Sequence, residues 1–161
     1  SVFFSDGRSF LVYELQLQNF TNDSLTLRGI EVIDVDDKLE RPIARYDDRT
    51  LNSVLRAAGI DNGEEPRNLL KARQGVTAFL CLAFDEKAVS PSKIRHRIVL
   101  DNGIVTGSIV HTQKDSAPIL GRPLSGADWV PLHGPHIGSH HRRGLWLHDG
   151  VIENSRRFAI D

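Results

Sequence analysis

Between Phe10 and Phe20 the chain reads FLVYELQLQNF, so that Leu11, Tyr13, Leu15 and Leu17 alternate with Glu14, Gln16 and Gln18. A period of two sends the two sets to opposite faces of a pleated strand, and the segment predicts a half-buried strand. After the turn cluster TNDS, the stretch LTLRGIEVIDV resumes the alternation, but its apolar parity shifts across Gly29. One extra residue in a β-bulge there would absorb the shift. The two strands are expected to pair as a hairpin across TNDS. GVTAFLCLAF and KIRHRIVL predict two further strands, and the Asn102-Gly103 pair predicts a tight turn into IVTGSIVH. Leu51, Val54, Leu55 and Ala58 lie at helical spacing in DDRTLNSVLRAAGI, behind a Thr50 or Asp48 cap. This predicts one short helix in a connection.

Short strands with hairpin signals at both ends and a single intervening helix favour a mainly β fold over a parallel α/β sheet. The expectation is an antiparallel immunoglobulin-like β-sandwich with one short helix, followed by an extended C-terminal arm. Its 161 residues suffice for one well-buried core. The sandwich is expected over residues 1–111. A linker interrupted by Pro118, Pro123 and Pro131 follows over 112–131, and a separate C-terminal segment over 132–161.

A net charge of −1 removes the simplest electrostatic case for a nucleic-acid partner, and none is expected. No apolar run approaches the roughly 20 residues of a membrane-spanning helix, and SVFFSDGRSF lacks the layout of a signal peptide. Cys81 is the only cysteine, which excludes an intrachain disulfide and a cysteine-based zinc knuckle. Its place in GVTAFLCLAF predicts a small buried hydrophobe. His96, between Arg95 and Arg97, is expected to be an ordinary sheet residue.

The stretch HGPHIGSHHRRGLWLHDG, residues 133–150, holds five of the seven histidines. Neutral imidazole is the commonest protein ligand for zinc, and His133, His136, His140, His141 and His148 supply enough donors. Their spacing forms no self-sufficient motif. His136 and His140 would share a face only in a helix, which Gly134, Pro135 and Gly138 oppose. Arg142 and Arg143 suit a carboxylate or phosphate, or simply a solvated face. Trp129 and Trp146 are expected to be packing anchors.

The stretch DWVPLHGPHIGSHHRRGLWLHDGVIENSRRFAID resembles the opening of the catalytic region in a bacterial subgroup of lysostaphin-like zinc metallopeptidases. In that subgroup a Gly-Pro, a Ser-His-His-Arg-Arg and an Arg-Phe-Ala-Ile-Asp stretch recur in this order. LVYELQLQNF, LRGIEVIDV and IRHRIVL are similar to the β-sandwich domain that leads it. The resemblance implies hydrolysis of a peptide or peptidoglycan substrate by zinc-activated water, in a periplasmic or secreted setting. Such enzymes hold zinc through an early His, an Asp and a later His-x-His. Asp161 matches the Asp. Arg157 stands where the family has its first His, so His140 or His141 is expected to replace that ligand, with Arg142 or Arg143 holding a substrate carboxylate or a supporting acid. No later His-x-His lies within these residues, and the fragment by itself is expected to be inactive. Two other functions remain open: a non-catalytic β-sandwich binding module with a His-rich arm, which docks a partner strand on an exposed sheet edge, and a metal sink built on the histidine cluster.

Overall fold

Alternating apolar residues need a partner layer, and two antiparallel sheets facing one another supply it. The computed structural model describes residues 2–5, 7–57, 66–85, 88–114, 121, 124–130, 132–134, 136–149, 151–157 and 159; for residues 2–5 and for Leu147 only the backbone is described. The chain divides into two compact units, residues 1–115 and 116–161.

In the first unit, one sheet holds β1 (Val2–Ser5), β2 (Arg8–Gln18), β7 (Gly75–Asp85) and β5 (Leu55–Ala57), in the order β1-β2-β7-β5. The other holds β3 (Leu25–Asp34), β4 (Pro42–Tyr46), β8 (Lys93–Leu100) and β10 (Val110–His111), in the order β10-β8-β3-β4. In this second sheet β9 (Gly103–Thr106) also pairs with β8, and β6 (Leu69–Leu70) with β3. All these pairings are antiparallel. The fold is mainly β, a two-sheet antiparallel arrangement consistent with a β-sandwich. Leu11 from β2, Val76, Ala78, Leu80 and Leu82 from β7, Ile30 and Val32 from β3, and Ile94 and Ile98 from β8 form the core. Leu17, Leu15 and Tyr13 pack against it.

The parity shift in β3 is a bulge. Leu27 faces Leu100 while Gly29 faces Val99, which leaves Arg28 as the extra residue. Leu27 therefore points inward with Ile30 and Val32 on either side of the break. A side chain at Gly29 would bring its Cβ to 3.2 Å from the Tyr46 carbonyl, so the crossing of β3 and β4 also favours glycine. The Asn102-Gly103 turn forms as expected, closing the β8–β9 hairpin with Leu100 opposite Gly103.

Three expectations change. β2 and β3 do not form a hairpin: β2 pairs with β1 and β7, β3 with β4, β6 and β8. The TNDS turn instead carries the chain from one sheet to the other, and buried Asn19 fastens the crossing. Its side-chain amide donates to the carbonyls of Asp23, Leu70 and Lys71, at 2.8, 3.1 and 3.0 Å, while its oxygen accepts from the Thr21 backbone N–H at 2.9 Å. The predicted helix shrinks to a single turn, α1 (Leu51–Val54), because Leu55 already belongs to β5, opposite Ala78. Leu51 and Leu55 are both buried, so helical spacing and a turn followed by a strand satisfy the same two apolar positions. Cys81 is exposed rather than buried. It has the outward parity of β7, on the face opposite Val76, Ala78, Leu80 and Leu82 of the core.

In the second unit, α2 (His140–Arg143) precedes a hairpin of β11 (Trp146–His148) and β12 (Val151–Glu153). Asp149, at φ +48°, begins the turn between paired His148 and Val151. Asp149-Gly150 is an Asp-Gly hairpin signal that the histidines around it obscure in the sequence.

Candidate functional site

The histidine-rich stretch is organised by one local cap. Ser139 is extended, at φ −71° and ψ 151°, and its hydroxyl accepts the Arg142 backbone N–H at 3.1 Å, which starts α2 at His140. The loop before it turns at His136, whose carbonyl accepts the Ser139 N–H at 2.9 Å and whose ring Nδ1 accepts the Gly138 N–H at 3.3 Å. These bonds fold residues 136–139 back onto the helical turn. The rings of His133, His140 and His141 lie close together. Their centroids lie 4.8 Å apart for His133 and His140, 6.2 Å for His133 and His141, and 4.2 Å for His140 and His141. His141 is buried at 2% exposure, whereas His140 and His133 are exposed.

Two imidazoles on one tetrahedral zinc, with Zn–N near 2.0–2.1 Å, hold their ring centroids roughly 5 Å apart. The observed separations bracket that value, and nitrogen donors suit zinc. Among the described residues no group of three or more His, Cys, Asp or Glu side chains is arranged to hold a metal ion. Nitrogen donors suit zinc, but the described residues do not by themselves form a metal site. Asp161, the acid expected to join it, lies outside the described residues.

The other expected site residues sit close by. Arg142 and Arg143 are half-buried in α2, and the Arg143 Nε donates to the Ile137 carbonyl at 2.7 Å. That bond ties the helix to the loop carrying the histidines. Asn154, just past β12, donates to the Arg142 carbonyl and holds the hairpin against the end of α2 at 2.5 Å. His136 and His148 are exposed, and neither is among the three clustered rings. The tryptophans are not packing anchors: Trp129 and Trp146 are both more than half exposed. Trp129 donates to the Ser125 carbonyl at 3.1 Å, and the Arg156 guanidinium lies 5.5 Å from the Trp146 ring centre. A unit of this size, with one helical turn and a three-residue hairpin, has little interior in which to place an indole.

A second polar centre, inside the sandwich, has no local signature in the sequence. Tyr13 on β2 and His96 on β8 reach across the two sheets and share a 2.9 Å hydrogen bond between the Tyr13 hydroxyl and the His96 Nε2. His96 is only 5% exposed, so the expected ordinary sheet residue is an interior one. Burial lowers the pKa of its imidazole below the usual 6.5 and, with a contribution from Tyr46, raises that of the Tyr13 hydroxyl well above 10. Tyr46 crosses in the opposite sense, donating to the Cys81 carbonyl at 3.2 Å. Beside the Tyr13–His96 pair lies a cleft of about 200 Å³, bounded also by Leu11, Ile94, Val110 and Thr112. Nothing in KIRHRIVL distinguishes His96 from its neighbours except that its parity matches Ile94 and Ile98. That parity was the available signal.

No protein-family model matches this chain, and neither a curated protein nor a solved structure matches it significantly.

Proposed function

We propose that the chain is the N-terminal portion of a lysostaphin-like zinc metallopeptidase, a sandwich domain followed by the opening of the catalytic region. What supports this reading is the convergence of His133, His140 and His141 in one capped turn, with His141 buried. His140 or His141, with Asp161, would hold the metal. Bound zinc lowers the pKa of a coordinated water and polarises a peptide carbonyl. The cap and residues of α2 do the rest: Ser139 sets the helical turn, Arg143 locks the loop, and Arg142 or Arg143 receives a substrate carboxylate. The substrate class is a peptide or a peptidoglycan cross-link, and the setting periplasmic or secreted.

Zinc titration of the 161-residue chain by calorimetry tests the partial ligand set. Binding weaker than about 1 μM is expected, because an incomplete set leaves orientation and charge compensation to water. His140→Ala with His141→Ala should abolish it. Stoichiometric submicromolar binding that survives the double substitution would overturn this assignment of ligands and favour a metal sink. In the longer protein that this reading requires, unchanged zinc content and peptide hydrolysis in the double variant would remove both histidines from the mechanism.

A further inference from the structure

The outer strand of the larger sheet lacks the protection that edge strands ordinarily carry. β8 pairs with β9 and β10 on one side, and among the described residues no strand pairs with them on the other. Every residue from Gly103 to His111 is exposed, with Ile104 at 63% and Val105 at 54% on opposite faces of the ribbon. From Asn102 to Gln113 the sequence NGIVTGSIVHTQ contains no Asp, Glu, Lys, Arg or Pro. Folded proteins usually guard such an edge with charge or proline. The opposite edge of the same sheet is guarded in this way: β4 begins at Pro42, and its Arg45 pairs with Glu31.

The pairing register shows which backbone groups the edge presents. Leu100 faces Gly103 at the hairpin end, and the Gly107 N–H donates to the His96 carbonyl at 2.9 Å. Alternate residues therefore face β8, and the N–H and C=O groups of Ile104 and Thr106 point away from it. Next to β10 lies the cleft of about 200 Å³ with the Tyr13–His96 pair in its wall. An apolar cavity of about 150 Å³ accommodates benzene, so this cleft has room for one aromatic or large aliphatic side chain.

The edge is too small to hold a second copy of the chain by itself. A ribbon of this length is roughly 30 Å long and one strand deep, or about 300 Å², against about 800 Å² per partner in a stable dimer. A short peptide strand matches it in size, and an uncharged strand matches its lack of charge. We propose that the β9–β10 edge takes up a short, extended, uncharged peptide as an added strand, one large apolar side chain of which enters the cleft beside Tyr13 and His96. Main-chain bonds to Ile104 and Thr106 give the affinity and the cleft gives the selectivity.

The probe is the hexapeptide acetyl-Thr-Val-Thr-Phe-Thr-Val-amide, added to the isotopically labelled 161-residue chain. Amide exchange at Ile104 and Thr106 should slow at least tenfold, and the ring resonances of Tyr13 and His96 should shift. Replacing the peptide's Phe with Ala should keep the slowed exchange, remove the ring shifts and weaken binding. Thr106→Pro removes an outward donor without touching the β8 pairing and should weaken binding at least tenfold at unchanged Tm. Ile104→Lys serves if the proline variant fails to fold. Unslowed exchange at saturating peptide, or equal binding by a peptide with both Val replaced by Lys, would overturn the proposal. So would sedimentation showing that the peptide-free chain dimerises through this edge.

Discussion

His96 loses its neutrality at a cost that depends on pH. In the folded chain burial holds its pKa below 6.5, whereas in the unfolded chain it protonates as the pH falls through that value. The unfolded state then binds more protons, so the stability present above pH 6.5 is lost as the pH falls from 6.5 towards the folded pKa, with a limiting slope of about 1.4 kcal/mol per pH unit. Urea unfolding at pH 7.5 and pH 5 should show the loss, and His96→Gln should flatten it. The carboxylates with lowered pKa, Asp37 and Asp101, each held down chiefly by a backbone N–H, act below their ordinary 3.8 and leave this window to histidine. Tyr13→Phe leaves the buried imidazole without its cross-sheet partner and should cost about 1–3 kcal/mol, measured by Tm. Parity alone put His96 on the inner face, so its burial was legible, but the tyrosine facing it from the other sheet was not. Cys81 shows the opposite limit, since exposure on an outward face depends on what covers the sheet.

Strands were easier to read than their partners. Period two located β2, β3, β7 and β8, and the change of parity at Gly29 located the bulge, because both are properties of a single strand. Whether TNDS closes a hairpin or crosses between layers leaves the same alternation on either side, and only the distant pairing of β2 with β7 decides it. Asn19 makes that crossing, with its side chain 2% exposed and bonded to both flanking loops. Asn19→Ala should therefore destabilise the chain by about 2–3 kcal/mol, through carbonyls left without donors. Chemical denaturation is the measurement, and a change within 0.5 kcal/mol, typical of roughly neutral surface substitutions, would disagree. The histidine convergence was unreadable for a related reason. Five imidazoles in a glycine-rich stretch specify no geometry until the Ser139 cap and the Arg143 bond to Ile137 fold the loop.

At the scale of the molecule, the first unit holds both principal sheets and their core. A chain truncated after Asp115 should unfold in one cooperative transition with a β-type circular dichroism spectrum. Non-coincident transitions by fluorescence and circular dichroism would contradict this. The longest ladder in that unit, β2 with β7, also sets a timetable. Gln18 meets Gly75 and Arg8 meets Asp85, so β2 leaves the ribosome roughly 60 residues ahead of its main partner; at about 5–20 residues per second it waits on the order of 3–12 s. During that interval β2 lacks its hydrogen-bonding neighbour on that side, and nascent chains crowded on one message are exposed to mispairing through FLVYELQLQNF. Slower translation before Gly75 should lower the soluble yield of this chain, and chaperones that shield short apolar strands should restore it.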